Sequence, residues 1–270
     1  MTEIVSRVDA SSSGLPGTSP RSRITAITSG KGGVGKTFIA ANLAAALARM
    51  GQRVLVLDAD LGLANLDVVL NLYPKITLHD VFTGKHVLAD AVLPAPGGFS
   101  VLLAGSGMVE YSRLTPHVRE QLQAVIDEVA PRFDCVLLDT GAGISDVVLY
   151  TVSLAQDVLI VATPEPTSMT DAYATIKVLA TTQGRRAVQL VVNQTAKPLD
   201  GRNVRNQLQQ VVDRYVNAAL DSPMQIELVG SVPSDPAVRE AVHRRQLISI
   251  GAPGAPATTA ISELAARLIG

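Results

Sequence analysis

The sequence predicts a three-layer α/β domain, a mostly parallel twisted sheet with helices on both faces. Three observations carry that expectation. Apolar runs of strand length alternate with helix-like stretches along most of the chain. Several of those runs stop at an aspartate or asparagine, the residues an open α/β sheet presents at its carboxyl edge. The first run passes through a glycine-rich loop directly into a helix-like stretch. Strand–helix–strand alternation requires right-handed crossovers, and these place helices on both sides of parallel strands.

Taken in order, residues 24–28 read as a buried strand and 38–50 as an Ala/Leu-rich helix stopped by Gly51. Residues 54–57 are a continuous apolar run, the pattern of a strand covered on both faces, ending in Asp58-Ala59-Asp60. From 61 to 90 the helical pieces are short, broken by Pro74 and Gly84, with a cap-like start at Thr77-Leu78-His79-Asp80. A strand at 101–103 and an amphipathic helix at 115–130 follow. The strand at 133–138 ends in Asp139-Thr140-Gly141-Ala142-Gly143. A strand at 158–162, a helix at 167–182, a strand at 188–192 ending at Asn193, a helix at 203–220 and a strand at 226–232 complete the alternation. Beyond Pro233-Ser234-Asp235-Pro236, a Gly/Pro-rich stretch at 249–256 precedes a last helix with an apolar stripe of Ile261, Leu264, Ala265, Leu268 and Ile269. The expected division is a disordered tail over 1–23, a catalytic domain over 24–248, and a linker with an amphipathic helix over 249–270.

Composition excludes several classes. At 270 residues and 47% apolar content the chain can bury a large core. With 23 basic and 24 acidic residues the formal charge is −1, so no global field favours nucleic acid or an anionic membrane. The single cysteine, Cys135, lies in an apolar run, so no intramolecular disulfide forms and a reducing compartment is expected. No apolar run has the length of a signal-peptide core or a bilayer span, which points to a cytoplasmic protein. The Ser/Gly/Pro-rich residues 11–22 lack the apolar surface to offset their ordering entropy.

The chemistry centres on Ser29-Gly30-Lys31-Gly32-Gly33-Val34-Gly35-Lys36-Thr37, which fits G-x-x-x-x-G-K-[ST]. Glycines let the backbone turn its N–H groups inward, and the helix that follows adds unpaired donors and the positive end of its dipole. Residues Gly30 to Phe38 are therefore the expected polyphosphate cradle. Lys36 is expected to hold the outer phosphates, and the Thr37 hydroxyl to ligate a Mg2+ ion that bridges them. Asp139 closes its strand in the manner of a Walker B carboxylate and is the second expected metal ligand. Asp58 and Asp60, one residue apart on an extended backbone, are expected to face one site, Asp60 orienting the attacking water and Asp58 in the outer magnesium shell. Lys31 has no evident task at its own phosphates.

With those residues read, Lys31 and Lys36 framing Gly-Gly-Val-Gly resemble the "deviant" Walker A loop of the MinD/ParA ATPases. Asp58-Ala59-Asp60-Leu61-Gly62-Leu63-Ala64-Asn65-Leu66-Asp67 resembles that family's switch I, in a wording closest to the flagellar-number regulators FlhG and FleN. Asp139-Thr140-Gly141-Ala142-Gly143-Ile144 is similar to their switch II, and Glu165-Pro166-Thr167-Ser168-Met169-Thr170-Asp171-Ala172-Tyr173 to their EPTSxTDAY stretch. The resemblance spans about residues 24–268. It implies a SIMIBI-type P-loop NTPase fold that hydrolyses ATP to ADP, monomeric without ATP and a nucleotide-sandwich dimer with it, Lys31 reaching the partner's phosphates. It also implies adenine contact by Asn193 and a base-flanking turn at Pro233. Implied partners are the GTPase FlhF, a FleQ-type transcription regulator and switch-complex components, the output being flagellar number and placement. Positioning another cargo, the division site or DNA, is the alternative.

The chain departs from that pattern at both ends. It carries no Asp-Gln-rich amino-terminal segment of the kind that stimulates FlhF. The last helix has Arg267 as its only basic residue, so docking on the protein itself is favoured over attachment at the inner membrane or cell pole. An iron–sulfur relative would need more thiolates than one. The Arg239, His243, Arg244, Arg245 cluster is too modest for a DNA-binding surface, and no direct nucleic-acid contact is expected.

Overall fold

The computed structural model describes residues 22–105, 111 and 113–269, so the tail expected at the amino terminus lies outside the described residues save for its last two positions. Among those described, the strands form one sheet: β1 (Arg23–Ser29), β2 (Val54–Ala59), β3 (Val92–Pro94), β4 (Ser100–Leu102), β5 (Cys135–Ala142), β6 (Asp157–Ala162), β7 (Ala187–Thr195) and β8 (Gln225–Pro233). The spatial order is β3-β4-β2-β5-β1-β6-β7-β8. Every pairing is parallel except β3 with β4.

Helices fill both faces: α1 (Lys36–Arg49), α2 (Leu66–Leu70), α3 (Leu78–Phe82), α4 (Leu88–Ala91), α5 (Pro116–Val129), α6 (Asp146–Ser153), α7 (Pro166–Thr182), α8 (Asp200–Tyr215), α9 (Pro236–His243), α10 (Ile248–Gly251) and α11 (Pro256–Ile269). The continuous apolar strands divide their side chains between two cores. Ile24, Leu55, Val136 and Ile160 join the core formed with α5 to α8, while Ile27, Val56, Leu137 and Val161 join the core formed with α1 and α11. Helix α1 is apolar nearly all round, with residues 38–47 buried, because it lies between the sheet and α11.

Several short elements escape the sequence pattern. Strand β3 is three residues long and antiparallel to β4. Helix α6 begins at a Ser145 cap, with the Ser145 hydroxyl accepting from Val148 N. The 249–256 stretch also holds part of α10. Helix α11 buries Ile261, Leu264, Ala265 and Leu268 against β8 and α1 and leaves Ile269 exposed. No described helix is long and apolar enough to cross a membrane.

The topology fixes where chemistry can occur. Strands β2, β5, β1, β6, β7 and β8 run in parallel, so their carboxyl ends share one edge of the sheet. That edge collects the loop after β1, Asp60 just past β2, Asp139 near the end of β5, Glu165 after β6, Asn193 in β7 and Pro233 closing β8.

Candidate functional site

Two cavities adjoin along the loop between β1 and α1. The larger, about 490 Å³, is lined by Gly32, Gly33, Lys36, Asp60, Gly141 and Ser145, among others. The smaller, about 300 Å³, is lined by Gly35, Phe38, Asn193, Pro233, Arg239 and Val242, among others. The first is glycine-rich and holds a half-buried lysine. The second has an aromatic wall, a proline and an amide. The pair has the form of a polyphosphate site continuing into a site for a planar base.

The loop conformation follows from its glycines. Gly35 has φ +94°, and a Cβ there would collide with the Asn193 side-chain amide. Gly30 is packed so closely on the Asp171 carbonyl of α7 that no side chain fits. Gly30 packed on α7 and the Val34 carbonyl held by Asn193 support the loop from behind. No side chain caps the start of α1, so the first-turn N–H groups of Lys36, Thr37 and Phe38 lack intrahelical partners beside the cavity.

Burial lowers the pKa of Lys36, while Asp139 and Asp60 pull it the other way. Asp139 is 2% exposed, and its Oδ1 has no hydrogen-bond partner. Burial pushes its carboxyl up to about 6, against the pull of the adjacent Thr37 side chain and the Lys36 charge. A buried carboxylate oxygen without a partner is costly unless a cation meets it. Among the described residues no group of three His, Cys, Asp or Glu side chains could hold a metal alone. That fits Mg2+, which takes one or two protein oxygens and completes its shell with water and phosphate. Thr37 and Asp139 are the residues that could supply those oxygens.

Asp58 is held inside the protein. In register with Asp139 across β2 and β5, it is 2% exposed, with Oδ1 accepting from Asp60 N at 3.2 Å and Oδ2 from Leu66 N at 3.3 Å. Burial first, then the Asp139 charge, drives its pKa well above the usual carboxylate range. Asp58 borders a third cavity with Asp67, Tyr73 and Thr77, while Asp60 lines the larger one. The chain leaves the strand at Asp60, and Asp58 staples the turn that results. Asp60 itself accepts from Leu63 N at 3.1 Å.

Asn193 is committed within the protein. Its Nδ2 donates to Val34 O at 2.8 Å, and its Oδ1 accepts from Gln194 N at 2.9 Å. It caps no helix; it fastens the loop while lining the smaller cavity, and one Nδ2 hydrogen and one Oδ1 lone pair stay available to a base there. Pro233 stands where the sequence suggested, on the wall of that cavity.

Lys31 lines neither cavity. Its Nζ reaches Glu165 Oε2 at 3.3 Å and Thr167 Oγ1 at 3.0 Å at the start of α7. Three partnerships were not legible beforehand. Glu165 and Thr167 hold Lys31; Thr37 Oγ1 donates to Asn65 Oδ1 at 3.1 Å; and Asp235 accepts from both Ala237 N at 2.9 Å and Ala257 N at 3.1 Å, capping α9 and reaching the start of α11. Of these, only Asp235 before Pro236 carried a local signal, that of a helix start.

The family described as ParA, NUBPL iron-transfer P-loop NTPase, matches residues 21–269. The antiactivator FleN of Pseudomonas aeruginosa is 41% identical over 91% of this chain and 86% of its own length. The flagellum site-determining protein YlxH of Helicobacter pylori is 30% identical over 92% of this chain and 82% of its own. Among solved structures, the septum site-determining protein MinD complexed with Mg-ADP from Pyrococcus horikoshii superposes with a TM-score of 0.73 at 28% identity, covering 92% of this chain and 96% of that one. The family match and these relatives extend over nearly the whole length: the chain belongs to the ParA/MinD family of P-loop NTPases, and it is an ATPase that works with ATP, ADP and Mg2+.

Proposed function

We propose that this ATPase is a switch whose ATP-bound form pairs with a second copy of itself and regulates how many flagella are built. The observation that carries the pairing is Lys31. A loop lysine that stays outside its own phosphate cavity, on the exposed rim, is free to serve a neighbour's phosphates once Glu165 and Thr167 release it. Leu63 and Ile144 support the same reading. They stand exposed on the segments after β2 and β5, beside the larger cavity, where pairing would cover them. Similarity to FleN and to the Helicobacter flagellum site-determining protein supports the flagellar output. A FlhF-type GTPase and a FleQ-type regulator are the partners proposed with it.

Within the site, Lys36 and the N–H groups of Gly32, Gly33 and the first turn of α1 hold the phosphates. Thr37 and Asp139 would hold Mg2+, which when bound would neutralise charge on the outer phosphates. Asp60 turns from Leu63 N to orient the attacking water. Asn193 keeps the loop in register, and Phe38 and Pro233 flank the base. Asp58 keeps the turn after β2 in place. Hydrolysis is slow, on the order of 10⁻⁴ to 10⁻² s⁻¹ unassisted, because the product of a switch is a conformation.

Arg244 is paired with Glu240 at 2.7 Å, and Arg239 lines the smaller cavity, which leaves the α9 cluster a poor surface for DNA. Single-turnover hydrolysis and calorimetry test the assignments together. Lys36→Ala is expected to abolish ATP binding. Asp60→Ala is expected to bind ATP with parental affinity and lose hydrolysis at least a hundredfold; parental hydrolysis by that variant would remove Asp60 from the chemistry.

A further inference from the structure

Strand β8 closes one side of the sheet, and an edge strand turns alternate N–H and C=O groups away from its neighbour. Along the start of that edge the protein seals them itself. Met224 N donates to Asn217 Oδ1 at 2.7 Å, Gln209 Nε2 to Met224 O at 3.0 Å, Ile226 N to Gln209 Oε1 at 2.8 Å and Arg205 Nε to Ile226 O at 2.9 Å. The seal stops there. Leu228, next in the same alternation, has no backbone bond to a side chain among the described residues. Past it the register with β7 shifts, and Arg267 Nη1 donates to Val229 O at 3.1 Å. A cavity of about 220 Å³ opens over Leu228 to Ser231, walled by Arg202 at the start of α8 and by Glu263 and Arg267 on α11. Helix α8 comes this close because of Gly201, where a Cβ would collide with the Ser231 hydroxyl. Neither Arg202 nor Glu263 has a hydrogen bond or ion pair among the described residues.

We propose that this groove docks a short extended peptide segment of a partner protein, laid along β8 as one more strand, with a single carboxylate side chain held between Arg202 and Arg267. An open strand edge is matched by another backbone, and guanidiniums on opposite walls are matched by a carboxylate. Glu263, one turn before Arg267, opposes a run of acids or a polyphosphate, so one carboxylate suits the groove better than several. The register shift at Val229 and the covered carbonyl there stop a longer pairing. Strands β6 and β7 separate this edge from β1 and the loop that follows it, so the proposal goes beyond the nucleotide switch and does not rest on it.

Titration of the full chain with acetyl-Val-Thr-Glu-Thr-Val-amide, followed by amide NMR, tests it. Saturable shifts are expected at Leu228, Gly230 and Ser231, with about three- to tenfold weaker binding when Gln replaces Glu in the peptide. Arg202→Glu should weaken the Glu peptide by a similar factor, and Glu263→Gln should tighten it about two- to threefold, both with parental melting temperature and ATP affinity. Methylating the backbone nitrogen at Glu or at the residue after it separates strand pairing from ionic attraction. A docked strand offers only one of those two nitrogens to β8, so one methylated peptide should bind and the other should not. No shift at millimolar peptide overturns the proposal, as do equal affinities for the Glu and Gln peptides, equal binding of both methylated peptides, or inorganic phosphate binding there as tightly as the Glu peptide.

Discussion

Asp139 sets burial against charge within one side chain. Its carboxyl is raised from the ordinary aspartate value to about 6, with burial the largest cause. A carboxyl whose folded pKa lies above its unfolded one favours folding through its protonated form. Its stabilising effect is complete below the unfolded value, near 3.8, and is lost as pH rises through about 6. Asp139→Asn is therefore expected to stabilise the nucleotide-free protein at pH 7.5, by on the order of 3 kcal/mol at most, with the gap closing as pH falls toward 4. Thermal melts of parent and variant across that window check the sign. Residue-scale cost of this kind is what a ligand site holds in reserve, and Asp139 was legible from sequence because it ends an apolar strand. Asp58 also ends an apolar strand, and its bonds from Asp60 N and Leu66 N depend on a turn that no local pattern reveals.

Among the elements, α11 decides between membrane anchor and structural part. Its apolar stripe covers α1 and β8, its start is bound by Asp235, and the Leu268 carbonyl near its end receives the Arg23 guanidinium. Leu264 is 1% exposed. Leu264→Ala is expected to destabilise the fold by about 2 to 4 kcal/mol, measured by urea unfolding, because a buried leucine leaves a cavity. The same docking predicts that ATP produces no gain in liposome co-sedimentation over the nucleotide-free chain. Because Asp235 also borders the base cavity, disturbing α11 should weaken nucleotide binding as well. The long elements were legible for simple reasons: continuous apolar runs for strands buried on both faces, and 3.6-residue spacing for α5. Helix α6 was not, since its Val147-Val148-Leu149 run reads as strand by composition, and only the Ser145 cap and the packing on β5 decide otherwise. Strand β3 is too short, and too close to Pro94, to show a period.

At the level of the whole molecule, a parallel sheet gathers residues from Gly32 to Pro233 at one edge, and the nucleotide site is a consequence of that topology. Strand-end residues could be read in advance because topology alone places them. Lys31 with Glu165, and Thr37 with Asn65, could not, because loops from distant parts of the sequence must first be folded against each other. The central claim is that the last phosphate of ATP governs whether two copies join. Light scattering of the purified chain with a non-hydrolysable ATP analogue and Mg2+ tests this most directly, with ADP as control and Lys31→Ala beside it. The expected result is a mass twice the 28.3 kDa of one chain with the analogue, a single-chain mass with ADP, and a single-chain mass for Lys31→Ala under both conditions even though it binds nucleotide. A parent chain that binds the analogue and stays at 28.3 kDa would contradict the account.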